Sequence, residues 1–264
     1  MLPTVDFCGL KLTRLLLGAN PFGGFSHQNG ERDQAMRTWS TPERIRETWD
    51  RAHAAGINAM VTNNETPHVI ATTTDYLAAG GPLRWIGQLA DNSYANMEAA
   101  IDRAVEIGAC AAYLHGGLVD NLYAQRDSET LIRYLRHGQA LGIPMGVAGH
   151  APEAHDWVDS LDAADFHVVC FFNCGSLHHG RGDRFALADA FAAVECIQRL
   201  AKPCIGYKIM GAGRIDPRMA FEFAFDHIKP GDVVNVGMHR GDRDDMVEAN
   251  VALVEQILET VAVA

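Results

Sequence analysis

The sequence predicts an α/β protein, a single (β/α)8 TIM barrel over residues 1–264. Its length is close to the roughly 250 residues typical of such barrels. Short apolar runs alternate with amphipathic segments along the whole chain, and several of these runs are continuously apolar, as in parallel strands covered on both faces. The eight predicted strands are Arg14–Gly18, Ile57–Thr62, Trp85–Leu89, Cys110–His115, Pro144–Ala148, His167–Asn173, Cys204–Ile209 and Val233–Val236.

Helical periodicity fills the spaces between the predicted strands. Met97–Ile107 and Met246–Val261 carry apolar residues at three- and four-residue spacing, and Gly108 stops the first of them. The stretches "GIN" (56–58) and "GIP" (142–144) indicate turns from a helix into the next strand. No linker, repeat or low-complexity tract interrupts the pattern, so we expect one domain.

Composition narrows the classes of partner. The net charge is −11 with 48% hydrophobic residues, which disfavours nucleic-acid and anionic-membrane binding because both need a basic face. We therefore expect a small-molecule substrate, and a homo-oligomer is compatible with the sequence. No apolar stretch approaches 18 residues, no signal-like segment opens the chain, and the six cysteines form no CxxC pair. These features predict a cytoplasmic protein with reduced thiols.

Polar side chains follow or end each predicted strand. In a barrel of this class the C-terminal strand ends carry the chemistry. A polar residue at any single position is equally well explained as a loop or helix cap, but the whole set predicts a lined pocket. The residues in question are Asn20, Asn64, Glu65, Gln88, His115, His150, Asn173, Lys208 and His239.

A family resemblance rests on several stretches in order along nearly the whole chain. They are "LLLGANPFGG" (15–24), "AHAAGIN" (52–58), "AYLHGG" (112–117), "GIPMGVAGH" (142–150) and "VVNVGM" with "MVEANVAL" (233–253). In this order the chain resembles the aldo-keto reductase superfamily, which implies a barrel and a catalytic tetrad of Asp, Tyr, Lys and His. Val61, Thr66 and Gln88 stand where the first three are expected, and only His115 matches.

The altered tetrad changes the expected chemistry. Carbonyl reduction by hydride needs a proton donor, usually a tyrosine whose pKa is lowered by a neighbouring cation. The family's cofactor arginine is also replaced, because Met246 stands four residues before Asn250. The sequence therefore argues against NAD(P)H as a cofactor, and an NAD(P)H-dependent aldo-keto reductase is kept as an alternative.

The preferred hypothesis is a lyase or isomerase that removes a proton next to a carbonyl group. His115, His150, Lys208 and Gln88 are the predicted catalytic residues, and the substrate class is a small sugar-like or oxidised-sugar compound. Glu65, His115 and His150 form a candidate set for a divalent metal, since imidazole and carboxylate are common ligands. No close-spaced ligand motif supports that metal.

Lys208 is a charged residue in an otherwise apolar strand. A buried lysine has either an ion-pair partner, with Glu65 as the candidate, or a chemical task. The tasks considered are general acid, oxyanion stabiliser and Schiff-base nucleophile, and the last would make the protein an aldolase. The "GAGR" stretch (211–214) that follows brings Arg214 into the set of predicted substrate-binding residues.

Two loops are longer than usual. Residues 21–40 are predicted to be a lid loop, and 173–186 carry basic residues that suit a carboxylate or phosphate, or else a solvated loop or oligomer contact. The predicted substrate-binding residues are Asn20, His27, Asn64, Asn173, Arg181, Arg214 and His239.

A catalytically inactive barrel that serves as a binding or scaffold subunit is the remaining alternative. Loss of the tetrad residues fits it. An apolar or collapsed pocket at the strand ends would favour the scaffold, and an open polar pocket would favour an enzyme.

Overall fold

Eight parallel strands close into a barrel in the computed structural model, which describes residues 1–90, 96–174 and 184–261. An antiparallel hairpin of β1 (Thr4–Phe7) and β2 (Leu10–Thr13) precedes them. The barrel strands follow one another in chain order, and the last pairs with the first. They are β3 (Leu15–Gly18), β4 (Ala59–Asn63), β5 (Arg84–Leu89), β6 (Ala109–Leu114), β7 (Met145–Gly149), β8 (Phe166–Cys170), β9 (Cys204–Tyr207) and β10 (Val233–Gly237).

The (β/α)8 prediction is confirmed, with differences at strand ends. The predicted strand His167–Asn173 ends at Cys170, and Cys204–Ile209 ends at Tyr207. Lys208 adopts a left-handed backbone with φ of 56°, which interrupts the extended conformation and ends β9. His115 likewise lies after β6 and begins the next helix as its N-cap.

Helices cover the outside of the barrel. Those predicted at Met97–Ile107 and Met246–Val261 have the predicted bounds, and Gly108 ends the first with φ of 110°. In chain order the helices are α1 (Asn20–Gly23), α2 (Gly30–Trp39), α3 (Pro42–Ala54), α4 (Pro67–Ala78), α5 (Met97–Ile107), α6 (Gly116–Gln125), α7 (Ser128–Ala140), α8 (Pro152–Ser160), α9 (Ala188–Arg199), α10 (Pro217–His227) and α11 (Met246–Val261).

The segment 21–40 is not the loop that we predicted. It contains α2, a helix that begins where the Asn29 side chain accepts a hydrogen bond from the Arg32 N–H at 2.8 Å. Glu31 and Asp33 lie in its first turn, where negative charge favours a helix N-terminus. We call residues 21–40 the lid segment.

The apolar core has two layers. One lies between the sheet and the helices, and the other fills the barrel interior. Phe7 and Leu12 of the hairpin are fully buried in the inner layer, and the Phe7 ring lies 5.3 Å from that of Phe166 at the start of β8. The hairpin therefore fills the N-terminal end of the barrel and leaves the C-terminal end for a site.

Within the described ranges, no helix is both long enough and apolar enough to cross a bilayer.

Candidate active site

A cavity of about 460 Å³ opens at the C-terminal ends of the barrel strands. We call it the main cavity. Its walls come from the strand ends, from the lid segment, and from the loops that follow β9 and β10. Residues of the lid segment therefore form part of the wall of the main cavity.

Two rows of polar side chains line the inner end of this region. Asn63, Gln88 and Tyr113 are paired in register across three adjacent strands, so their side chains face the barrel interior together. The Tyr113 hydroxyl donates to Gln88 Oε1 at 3.0 Å, which leaves the Gln88 amide N–H groups to donate elsewhere. The second row, on the strands opposite, is Cys170, Tyr207 and Asn235, of which Tyr207 and Asn235 line the main cavity.

Lys208 lines the main cavity directly after the second row. Burial lowers the pKa of its ammonium group, because a charged amine loses hydration inside the protein. Its Nζ atom lies 5.5 Å from the centre of the Tyr207 ring. A lower pKa raises the fraction of uncharged amine at a given pH, and an uncharged amine is a base and a nucleophile.

His27 enters the main cavity from the lid segment. Its Nε2 atom lies 3.3 Å from the Asn20 amide nitrogen, and both residues line the cavity. Burial, followed by the charges of Lys208, His150 and Arg214, lowers the pKa of His27 to about 3. The imidazole is therefore neutral at physiological pH.

His150 lines a second cavity of about 200 Å³, beside the main one. Its Nδ1 atom lies 2.6 Å from Asp120 Oδ2, and Asp120 Oδ1 accepts from the His150 backbone N–H at 3.2 Å. The Tyr207 ring, which lines the main cavity, is 6.4 Å from the His150 ring. The second cavity is also lined by Asn173, the predicted residue after β8.

His115 is not among the described residues that line either cavity. Its Nδ1 atom accepts a hydrogen bond from the Gly117 N–H at 3.2 Å. Burial lowers its pKa, the Glu65 carboxylate opposes that shift, and the charges of His150 and Lys208 add to it. His115 therefore interacts electrostatically with His150 and Lys208, although its ring is hydrogen-bonded to the Gly117 N–H of the helix that it caps.

The predicted substrate-binding residues separate into groups. Asn20, His27 and His239 line the main cavity, and His239 packs edge-on against Trp39 of the lid segment at 5.1 Å. Arg214 is not among the described lining residues, and it donates to the backbone carbonyls of Gly211 and His27. Arg181 lies outside the described residues.

Asn64 has a structural contact in place of a cavity position. Its amide nitrogen donates to the Ala90 carbonyl at 3.0 Å, and its Oδ1 accepts from the Ala90 N–H at 2.9 Å. Both ends of the amide are thus engaged in joining the loops after β4 and β5.

The geometry gives the metal hypothesis no support. In the parts of the chain that the structure describes, no group of three or more His, Cys, Asp or Glu side chains is arranged to hold a metal ion. Glu65, His115 and His150 therefore do not form a ready ligand set, and His150 Nδ1 is already engaged by Asp120. A bound metal stays a prediction.

Sequence reasoning missed several residues of the site. Tyr113 and Tyr207 lie in predicted apolar strands, yet both line the main cavity. Counting back two residues from His115 would have found Tyr113, whereas no such count leads from Lys208 to Tyr207. Asp120 gave no local signal, because it is 30 residues from His150 and reaches it only through packing.

Comparison with known proteins supports the fold. No protein-family model and no curated protein matches this chain. Among solved structures, it is similar to a candidate aldo-keto reductase from Pseudomonas aeruginosa, with TM-score 0.64 and 19% identity over 97% of this chain and 94% of that one. A truncated 3-deoxy-D-arabino-heptulosonate 7-phosphate synthase from Thermotoga maritima gives TM-score 0.60 and 10% identity over 98% and 92%.

A third similar structure is orotidine 5'-monophosphate decarboxylase from Methanocaldococcus jannaschii, with TM-score 0.52 and 13% identity over 83% of this chain and 94% of that one. Identities this low show the shared barrel alone. The named structures are barrel enzymes, so the chain has an enzyme-like architecture, and its reaction must be argued from its own residues.

Proposed function

We propose that the protein is a lyase or isomerase that removes a proton from the carbon next to a carbonyl group of a small oxygenated compound. The observation that carries the proposal is Lys208, a largely buried lysine with a lowered pKa in the wall of the main cavity. That cavity is open and presents amide, imidazole and amine groups within a mainly apolar lining, which favours an enzyme over an inactive scaffold barrel.

The cavity residues divide the work between binding and proton transfer. Asn63, Gln88 and Asn235 offer amide groups to the hydroxyl and carbonyl oxygens of a sugar-like substrate. The uncharged Lys208 amine takes the proton from carbon, and the fixed Gln88 N–H groups stabilise the negative charge that develops on oxygen. In an isomerase, the proton then returns to a neighbouring carbon. In a lyase, the leaving group departs and takes up the proton.

Two histidines are assigned supporting roles. Asp120 holds the His150 ring so that Nδ1 carries the hydrogen and Nε2 is the acceptor. The charges of His150 and Lys208 both lower the pKa of His115. We assign His150 to accepting and returning protons beside Lys208, and His115, which lines neither cavity, to an electrostatic role.

Isotope exchange tests the proposal directly. The protein is incubated with a panel of aldoses, ketoses and sugar acids in D₂O, and NMR follows deuterium incorporation at the carbon next to the carbonyl. We expect wild-type protein to catalyse exchange on one compound class and Lys208→Met to lose it. Lys202→Met is the matched control, because Lys202 is a surface lysine paired with Asp162 at 2.8 Å.

Borohydride trapping separates two forms of the same chemistry. A reduced adduct on Lys208 would identify a Schiff base, as in an aldolase, in which the amine binds the carbonyl carbon before the proton leaves. Exchange without an adduct would identify Lys208 as a general base. Exchange that persists unchanged in Lys208→Met would overturn the proposal.

A reductase is the second candidate. It is favoured by the structural similarity to the candidate aldo-keto reductase and by the extent of the main cavity, which reaches Met246 and Asn250 of α11. Thermal-shift titration with NADPH distinguishes the two, since a ligand that binds the native state raises the unfolding temperature with concentration. We expect no shift; a saturable shift would support the reductase. The same titration with divalent metals on chelator-treated protein tests the metal prediction.

A further inference from the structure

Two amide side chains at the inner end of the main cavity have their oxygens engaged by the protein. Asn63 Oδ1 accepts the backbone N–H of Thr66 at 2.9 Å, and Gln88 Oε1 accepts the Tyr113 hydroxyl at 3.0 Å. A backbone N–H can only donate, so the contact with Thr66 fixes which end of the Asn63 amide is the oxygen. The amide nitrogens are the ends left for a ligand.

The nitrogens of these amides are exposed to the cavity. Asn63 and Gln88 line it, and within the described ranges neither nitrogen has a hydrogen-bond partner or is enclosed by protein. Asn235 lines the opposite wall, and its Oδ1 is fully buried where a Cβ at Gly18 would lie 2.8 Å from it. The nitrogen of Asn235 is therefore also the end that faces the cavity.

Three amide nitrogens around one space select a ligand by its oxygen atoms. An amide nitrogen only donates hydrogen bonds, and a carbonyl or carboxylate oxygen only accepts them. A hydroxyl group has a hydrogen of its own, which would lack an acceptor among these nitrogens, and an unsatisfied polar hydrogen weakens binding. The inner end therefore suits carbonyl and carboxylate oxygens better than hydroxyl groups.

The spacing of Asn63 and Gln88 suits two oxygens of one molecule. The two residues are partners in the register of β4 and β5, and adjacent strands lie about 4.8 Å apart. Their nitrogens can contact one carboxylate oxygen and the oxygen of a carbonyl on the next carbon. Asn235, from the opposite wall, can contact the second carboxylate oxygen. Three donors thus match the three oxygens of a 2-oxo acid.

The charges of the cavity lining differ from those of the whole chain, which has 33 acidic and 22 basic residues. Among the described lining residues, Arg32, Lys208 and Arg243 are basic and Asp242 alone is acidic. Arg32 and Arg243 pair with Asp242 and Asp245 in the loop after β10. No acidic side chain of the described lining lies on a barrel strand, so a carboxylate at the inner end meets no like charge there.

We propose that the substrate is an acid: a 2-oxo acid of the oxidised-sugar class, bound through its carboxylate and adjacent carbonyl oxygens to the amide nitrogens of Asn63, Gln88 and Asn235. This inference rests on the proposed function and names its substrate class. The proton that Lys208 removes is then the one on the carbon beyond the carbonyl, and Gln88 contacts the oxygen on which negative charge develops. Recognition of the acid is a property of binding, so it can be measured apart from turnover.

Isothermal titration calorimetry with matched pairs of ligands tests the substrate class. The acids are pyruvate, 2-oxobutanoate and 2-oxogluconate, and each is compared with its primary amide, which has the same shape and no charge. We expect at least one acid to bind the wild-type protein at least about tenfold more tightly than its amide, because a hydrogen bond to a charged group is stronger than one to a neutral group.

Gln88→Glu and Asn63→Asp test the donors. Each keeps the oxygen that Tyr113 or Thr66 uses and replaces the donor nitrogen by a second, negatively charged oxygen. We expect both variants to lose the preference for the acid. Gln256→Glu is the matched control, because it adds the same charge at an exposed position of α11, where the side-chain oxygen accepts from a surface arginine.

Gln88→Met separates loss of the donor from added charge. It removes the N–H groups and adds no charge, so we expect the acid to bind about tenfold more weakly than to Gln256→Met. If it fails to fold, as judged by circular dichroism, Asn63→Leu takes its place. Acid binding that falls only in the charged variants would reflect simple repulsion and would overturn the proposal. Wild-type protein that binds the acids no more tightly than their amides, or binds neither, would overturn it as well.

The failures of the two proposals are distinguishable. An acid preference that depends on these amides, together with isotope exchange that survives Lys208→Met, would leave the acid site standing and remove the proposed reaction. Exchange that is lost in Lys208→Met but occurs only on neutral aldoses or ketoses would leave the reaction standing and remove the acid.

Discussion

His150 Nδ1 and Asp120 Oδ2 lie 2.6 Å apart at the C-terminal end of the barrel, and the same carboxylate also accepts the backbone N–H of His150. The Asp120 carboxylate accepts both hydrogen bonds, and together they fix the ring and the backbone of His150. This arrangement gives His150 one tautomer and one orientation, which a proton-transfer residue requires.

We predict that Asp120→Asn lowers turnover about 10- to 100-fold with little change in the fold. The amide has one acceptor oxygen where the carboxylate uses two, so it cannot accept both the backbone N–H and the Nδ1 hydrogen of His150, and the negative charge beside the ring is lost. The measurement is the isotope-exchange rate of the variant with the compound class on which the wild-type protein catalyses exchange. Asp102→Asn is the matched control, because Asp102 forms a similar 2.7 Å contact with His137 between the outer surfaces of α5 and α7. Equal rates in the two variants would contradict the prediction.

We predict that Gly116→Ala displaces the His150 ring, whereas Gly117→Ala does not. A Cβ atom at Gly116 would lie 2.8 Å from His150 Cε1, which is too close, while at Gly117 the nearest atoms are at 3.4 Å. Both positions lie in the first turn of α6, so the effects of alanine on helix propensity are similar. The variants are compared by exchange rate and unfolding temperature. Similar exchange rates in both variants would show that the position of His150 is not critical.

We predict that the protein loses stability as pH falls through the range of its buried histidines. The Nδ1 atoms of His155 and His167 are 3.1 Å apart, and burial lowers the pKa of both, that of His155 to about 4. In the unfolded chain a histidine binds a proton near its ordinary pKa of about 6.5. Stability is therefore fully present above that value and declines as pH falls toward 4, by up to about 3 kcal/mol for His155.

Urea unfolding between pH 7.5 and 4.5 checks this expectation. His155→Gln is expected to show a smaller decline in the free energy of unfolding than the wild type, because a glutamine at this position takes up no proton on unfolding. His137→Gln, at an exposed site, is the control. A decline that is the same in all three proteins would assign the pH dependence to other groups.

We predict that Lys229→Met destabilises the protein by about 2–4 kcal/mol. The ammonium group donates to the carbonyls of Ile197, Leu200 and Lys202 at 3.0, 2.8 and 2.8 Å, around the end of α9. Methionine fills similar volume but leaves these acceptors without their donor. Lys202→Met, which removes only a surface ion pair, is expected to change the free energy of unfolding by less than about 1 kcal/mol. Chemical denaturation measures both, and equal values would contradict the assignment.

The barrel strands were predictable because parallel strands covered on both faces leave continuous apolar runs. The β1–β2 hairpin was missed because each strand has only four residues, although its turn at Cys8 and Gly9, with φ of 52° and 79°, is typical of a tight hairpin. The helix α2 was missed because Met36 is its one buried residue, so it carries no apolar stripe.

The site was predictable where a polar residue interrupts an apolar run. Gln88 and Lys208 were found in this way, and both line the main cavity. Tyr113 was missed because an aromatic residue in a strand looks like core, and its hydroxyl partner is visible only once neighbouring strands are in register. Partners that meet through packing, such as Asp120 and His150, leave no mark in the local sequence.

The hairpin closes the N-terminal end of the barrel, because Phe7 and Leu12 are fully buried there. Among the described residues, the main cavity lies at the opposite end, so substrate enters and product leaves at that end. Inhibition by product is expected to be competitive with substrate.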